Sequence, residues 1–183
     1  MCFAIACREN LRDNPLGRLS TTDLMPDTDL RVHSLLAALG AKIGLPDLAP
    51  NEDNVCRIVI DDTVVIDMEH QPGTDNFQAF AVVGGDPGGN VALLRKLLSA
   101  NLFGQGTGGS VLGLDDQRGE ILLTQGFDLS TTTEVAFVAK MESFSDYVRS
   151  WLDEVNEELD SASEESAEAE PGDNGGAGGF IRV

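Results

Sequence analysis

The chain has 183 residues, 42% of them apolar, with 31 acids against 12 bases and a formal net charge of −19. That length suits one domain with tails, and its core needs no disulfide staples. A surface this negative argues against nucleic acid and anionic membrane as partners, because both require Lys and Arg to replace their counterions. Ten of the acids, and no base, fall between Asp153 and Asp173, so about half of the net charge belongs to one segment.

Residues 1–28 show no period and contain Pro15, Gly17 and Pro26; they read as an N-terminal arm. Val32, Leu35, Leu36, Leu39 and Ile43 recur at helical spacing and predict a helix over 29–44, stopped by Gly44 and Pro46. Val55–Ile60 and Val64–Glu69 are β-branched runs around Asp61-Asp62, the pattern of a hairpin, and Phe77–Val83 predicts a third strand. Val64, Ile66 and Met68 share one face, as do Phe77, Ala79, Ala81 and Val83. Val65, Phe80 and Val82 lie on opposite faces to these, and a water-facing sheet surface would carry polar residues there. The apolar outer residues therefore mark either a face covered by the protein's own arms or a partner surface.

A second helix is expected over 90–102. Val91, Leu94, Leu98 and Leu102 form one stripe, and Leu93, Leu97 and Ala100 add apolar character on the rest. A helix apolar on two sides is buried on two sides, so this one predicts a twofold dimer. After Gly104–Gly109 come strands near 110–114 and 120–125. Thr131 and Glu134 have capping-box spacing, and Phe137, Met141, Phe144, Val148, Leu152, Val155 and Leu159 form a long helical stripe. The domain is expected over 29–159. Residues 160–183, rich in Glu, Ser, Ala and then Gly, read as a disordered acidic tail. The order is α-β-β-β-α-β-β-α: an α/β (α+β) fold with a twisted, mainly antiparallel sheet flanked by helices.

Chemistry-bearing motifs fail one by one. The Gly104–Gly109 cluster runs from helix to strand and no Lys follows it, whereas phosphate loops run from strand to helix. Cys2, Cys7 and Cys56 form no CxxC and no disulfide framework, which fits a reducing cytoplasm. Cys2 as an N-terminal nucleophile lacks a recognisable base. His33 and His70 have no metal-ligand spacing and read as surface or helix-flank residues, and the acidic pairs Asp61-Asp62 and Asp115-Asp116 read as turns. The apolar tip Phe180-Ile181-Arg182-Val183 sits on a glycine tether. No basic leader with a long apolar stretch is evident, nor a run of about 20 apolar residues. The expectation is a non-enzyme with no catalytic residue, metal or cofactor.

Three stretches carry a resemblance. Leu36–Leu48 (LAALGAKIGLPDL) with Val55–Asp67 (VCRIVIDDTVVID), Leu93–Asp116 (LLRKLLSANLFGQGTGGSVLGLDD), and Gly119–Phe127 (GEILLTQGF) resemble, in order and spacing, the Tir chaperone family, the class I chaperones of bacterial type III secretion. The resemblance covers about 30–158. It implies a cytoplasmic homodimer that binds the N-terminal segment of one or more secreted effectors in extended form and keeps them secretion-competent, with the secretion ATPase as a further partner. On that reading Leu35, Leu39, Val59, Val65, Phe80 and Val82 contact the effector. Leu93, Leu97, Ala100, Val111 and Leu112 build the dimer seam. A YbjN-like adaptor or regulator on a related fold is the competing reading, and an enzyme using Cys2 the third.

Overall fold

The computed structural model describes residues 27–72 and 74–168. Most of the expected arm, with Cys2 and Cys7, and the tail from 169 onward, with its Phe180–Val183 tip, lie outside the described residues. The elements are α1 (Asp27–Ile43), β1 (Val55–Ile60), β2 (Val64–His70), β3 (Asn76–Gly85), α2 (Val91–Asn101), β4 (Val111–Asp115), β5 (Glu120–Asp128) and α3 (Glu134–Glu168), with a 3-10 turn over Leu102–Gly104 after α2. The expected order and the mixed α+β class both hold.

The five strands form one antiparallel sheet in the order β1-β2-β3-β5-β4. Asp61 and Asp62 between β1 and β2 both take left-handed backbone conformations, φ 51° and 59°. Short polar side chains tolerate this conformation, and tight hairpins need it. Strand alternation then fixes which side is inside. Ile58, Val64, Ile66, Met68, Phe77, Ala79, Ala81, Val83, Leu112, Ile121 and Leu123 are all buried on one face.

That face is covered by helices. Phe137, Met141, Phe144, Val148, Trp151 and Val155 of α3 are buried, at alternating spacings of four and three. Each such burial is worth roughly 1.5–3 kcal/mol relative to exposure. Phe137 packs between Phe77 and Phe127, with ring centroids 5.7 and 4.8 Å away. α3 comes close enough to β3 that a side chain at Gly84 would place its Cβ 2.2 Å from Val155.

Both boundaries of α3 differ from the sequence reading. The cap of α3 is Thr133, whose hydroxyl accepts from the Ala136 N–H; the Thr131–Glu134 capping box does not form. Glu134 turns instead to α1, where its carboxylate accepts from the Ser34 hydroxyl at 2.7 Å and lies 3.8 Å from Arg31. The Ser34 hydrogen bond is the main reason its carboxyl is held below the usual carboxylate range. At the other end, α3 runs nine residues past the expected limit at 159. Ala and Glu are good helix formers, and adding turns to an existing helix needs no new nucleus.

The Gly104–Gly109 loop is fastened to α3. Lys140 Nζ donates to the Gly108 carbonyl at 2.5 Å, and Trp151 Nε1 donates to the Gly106 carbonyl at 3.0 Å. Gly108 has φ +60°, and a Cβ there would meet the Tyr147 ring at 2.2 Å. Gly108→Ala should therefore lower stability by about 1–3 kcal/mol, read as a shift in the urea midpoint. Gly85→Ala, whose Cβ would meet nothing within 4 Å, should stay within about 0.5 kcal/mol.

Candidate functional site

Among the described residues, two apolar surfaces remain after the fold is closed. The first is the sheet face opposite the helices. One row crosses all five strands: Arg57, Asp67, Phe80, Thr124 and Val111, each paired with the next. A neighbouring row holds Val59 opposite Val65, and Val82 opposite Leu122, which in turn faces Gly113. Val65 is 39% and Val82 44% exposed, while Val59, Phe80 and Leu122 are half-buried. The only charges in these two rows are Arg57 and Asp67, locked together by two bonds of 2.6 and 2.8 Å; this bond raises the Arg57 pKa. Being exposed, the pair adds at most about 1 kcal/mol, but it removes an unpaired charge from an otherwise greasy strip.

Further along the strands the same face turns polar. Glu69, Gln78 and Gly126 form one row, Asn76 and Asp128 the next. Glu69, Gln71, Asn76, Gln78 and Asp128 surround a notch of about 390 Å3 over Gly126.

The two sheet edges differ. At β4, Asn101 at the end of α2 donates its side-chain amide to the Leu112 carbonyl at 2.9 Å and accepts from the Leu112 N–H at 2.8 Å. One side chain thus satisfies both backbone groups of an edge residue and blocks strand addition there. β1 pairs with β2 on one side and with no strand on the other among the described residues.

The second apolar surface is the outer side of α2 with the turn after it. Val91, Leu98 and Leu102 are exposed, Leu98 by 72%, and Leu94 is half-buried beside them. Phe103 follows, 89% exposed and held at φ 55° and ψ 19°. Left-handed backbone is uncommon for a bulky residue, and here the flanking Asn101 clip and the loop fastened to α3 hold it in place. Val111 and Leu114 of β4 are also exposed.

These positions correct part of the residue assignment. Leu35 and Leu39 are core residues of α1, at 0% and 2% exposure, rather than surface residues. Val59, Val65, Phe80 and Val82 share the open face. On α2 the two stripes exist, and the one expected at a second copy is the one that faces the protomer's own core. Leu93 and Leu97 are buried in the protomer's own core, Leu112 is buried beside them, and Ala100 packs against Gly106. The exposed stripe is the one through Leu98. Of the five expected seam residues, Val111 alone is clearly exposed. Lys96 fits this rotation: it binds Glu154 and Glu158 of α3 at 3.1 and 3.2 Å, the Glu154 bond doing most to raise its pKa.

His70 is also corrected. It is 3% exposed, with Nδ1 3.4 Å from Asp29 and Nε2 3.1 Å from the Thr74 carbonyl. Sequence reasoning gives Asn101 no structural role beyond closing a leucine-rich helix before a glycine loop. Among the described residues no cluster of potential metal ligands occurs, and no helix is long and apolar enough to cross a membrane.

Residues 34–152 match the Tir chaperone protein (CesT) family. The chain belongs to this family. The match favours the secretion-chaperone reading over the YbjN-like adaptor. A Chlamydia pneumoniae protein is 38% identical over 63 residues, 34% of this chaperone and 47% of that relative; the matched stretch spans about half the relative's length. Solved structures share the chaperone's fold. A chain of the ExsC–ExsE complex aligns with a TM-score of 0.60 at 22% identity, covering 71% of this chain and 97% of its own. A chain of the HopA1–SchA chaperone–effector complex aligns at 0.59 and 17%, covering 70% and 98%. A chain of the ExoT–SpcS complex of Pseudomonas aeruginosa aligns at 0.52 and 18%, covering 66% and 96%.

The Asn101 clip gives a direct test. Asn101→Ala should cost about 1–3 kcal/mol in urea denaturation, because both Leu112 backbone groups lose their partner. It should also increase edge-to-edge association on dilution from denaturant, read by turbidity.

Proposed function

We propose that this chaperone holds the N-terminal segment of one or more secreted effectors, in extended form, against the open sheet face, and that it does so as a twofold homodimer. The observation that carries the reading is the apolar strip Val59–Val65 and Phe80–Val82–Leu122 on a sheet face that no described element covers. An unfolded segment brings apolar side chains and unpaired backbone groups. The strip supplies contacts for the former, and the unpaired side of β1 supplies a partner for the latter. Ordering such a segment costs several kcal/mol, which a long wrapped contact offsets. Complexes between chaperones and effectors among the structural neighbours support the same reading.

The dimer follows from the second surface. Leu98 and Phe103 are too large and too exposed to face water as a contiguous patch with Val91 and Leu102. A second copy of the same helix is the self-complementary cover.

Leu98→Glu should turn the protein into a folded monomer, read as a halved mass in light scattering with unchanged far-UV circular dichroism. Leu97→Glu should unfold it instead, since that side chain is core.

Phe80→Asp should weaken capture of an effector's N-terminal segment by about 10- to 100-fold in calorimetry, the equivalent of one aromatic side chain's burial, with the fold intact. Unchanged affinity would move the binding site off the open face.

A further inference from the structure

We propose that the effector segment lies lengthwise along β3 and β5 with the side-chain pattern apolar-x-apolar-x-basic, its Lys or Arg entering the polar notch over Gly126. The inference rests on the reading of the open face as the effector surface, and it adds which chemistry that surface selects.

Strand spacing sets the pattern. On the open face Val82 pairs with Leu122, Phe80 with Thr124 and Gln78 with Gly126. Successive rows are two residues apart, about 6.8 Å at ~3.4 Å per residue. Same-side residues of an extended segment repeat at that distance, and extended layers packed face to face stay within about 30° of each other. A segment that sets one apolar residue on the Val82 row and the next on the Phe80 row therefore brings its third same-side residue to the row of Gln78, Gly126 and Glu69.

Gly126 makes room there. Its backbone is not left-handed, and a Cβ would meet nothing within 4 Å. Neither conformation nor packing inside the protomer requires glycine at this position, and glycine weakens a strand interior unless another chain or a ligand comes close to it. The missing side chain leaves the floor of the notch of about 390 Å3, walled by Glu69, Gln71, Asn76, Gln78 and Asp128. The outward residues of β5 shrink toward it, from Leu122 to Thr124 to Gly126.

Charge sets the sign of the side chain. Within the greasy strip the one acid is neutralised, since Asp67 is locked to Arg57. At the notch the acids are not. The Glu69 carboxylate has no hydrogen-bond or ion-pair partner among the described residues. Asp128 accepts from the Ser130 hydroxyl at 2.6 Å and from the Ser130 N–H at 2.8 Å. These bonds, the hydroxyl's first, hold its carboxyl below the usual carboxylate range and keep it charged. Among the described residues no base lines the notch, and Arg31, just past the end of β5, is held by the Thr132 carbonyl and Glu134. A cationic end group brought over Gly126 meets two carboxylates and three side-chain amides, whereas a carboxylate there meets like charge.

The test uses the full chain and two synthetic peptides with blocked ends that differ in one residue, Val-Thr-Ile-Thr-Arg and Val-Thr-Ile-Thr-Glu. In a titration followed by amide NMR, the arginine peptide should bind about tenfold more tightly at low salt, and the amides of Gln78 and Gly126 should shift. That advantage should fade in about 1 M salt, where charges are screened beyond about 3 Å. Glu69→Lys, a change at an exposed side chain, should reverse the preference. Gly126→Val fills the notch with a good strand former; it should stay folded and erase the difference. Equal affinities for the unaltered protein, no binding of either peptide, or a preference that Glu69→Lys leaves unmoved overturns the proposal, as does a folded Gly126→Val that keeps the preference. If the arginine advantage and its reversal hold but Phe80→Asp changes neither affinity, the basic-residue notch stands and the open-face reading falls. If Phe80→Asp weakens both peptides alike and their charge makes no difference, the open face stands and the notch is the part that fails.

Discussion

A five-stranded sheet has two faces, and among the described residues the three helices cover only one of them. Every other feature follows from that imbalance. The covered face supplies the core, with the α3 stripe from Phe137 to Val155 laid across β2, β3 and β5. The uncovered face keeps a strip of valines with Phe80 and Leu122, on strands whose register is fixed by the buried alternate residues. A slip of one residue would exchange the two sets, so burial of Ile66, Met68, Ala79 and Ala81 is what holds Val65, Phe80 and Val82 outward.

The two apolar surfaces meet at β4. Val111 ends the open-face row that begins at Arg57, and its neighbour Leu112 is clipped to α2 through Asn101. That clip blocks one sheet edge and positions Phe103 and the α2 stripe. Pairing two copies through α2 would leave both open faces and both β1 edges available. The two sheet edges thus differ: one is sealed beside α2, and the other pairs with a single strand among the described residues.

Much of the fold was legible in the sequence because strand alternation and helical spacing are local. Asp61-Asp62 announced the hairpin, and the mismatch of Val65, Phe80 and Val82 with a solvated face announced the open surface. Helix rotation was not legible. On α2, Leu93–Leu97 and Leu94–Leu98 are equally good stripes, and only contacts distant in sequence, such as Lys96 with Glu154 and Glu158, decide which one faces the sheet. The same holds for Leu35 and Leu39, which a stripe marks as apolar without saying what covers them. Glu134 gave a capping signal that tertiary contact overrode, since Ser34 and Arg31 of α1 compete for its carboxylate. Asn101 escaped because its two partners on Leu112 come together only once β4 is in place.

The account's central claim is that an extended partner lies on the open face. Amide hydrogen exchange of the chaperone, alone and with an effector segment recovered by co-purification, tests it most directly. The account predicts slowed exchange in β1 and at the strand positions around Val65, Phe80 and Val82, with α2 unaffected. Slowed exchange confined to α1 and α3, with the sheet unchanged, would contradict it.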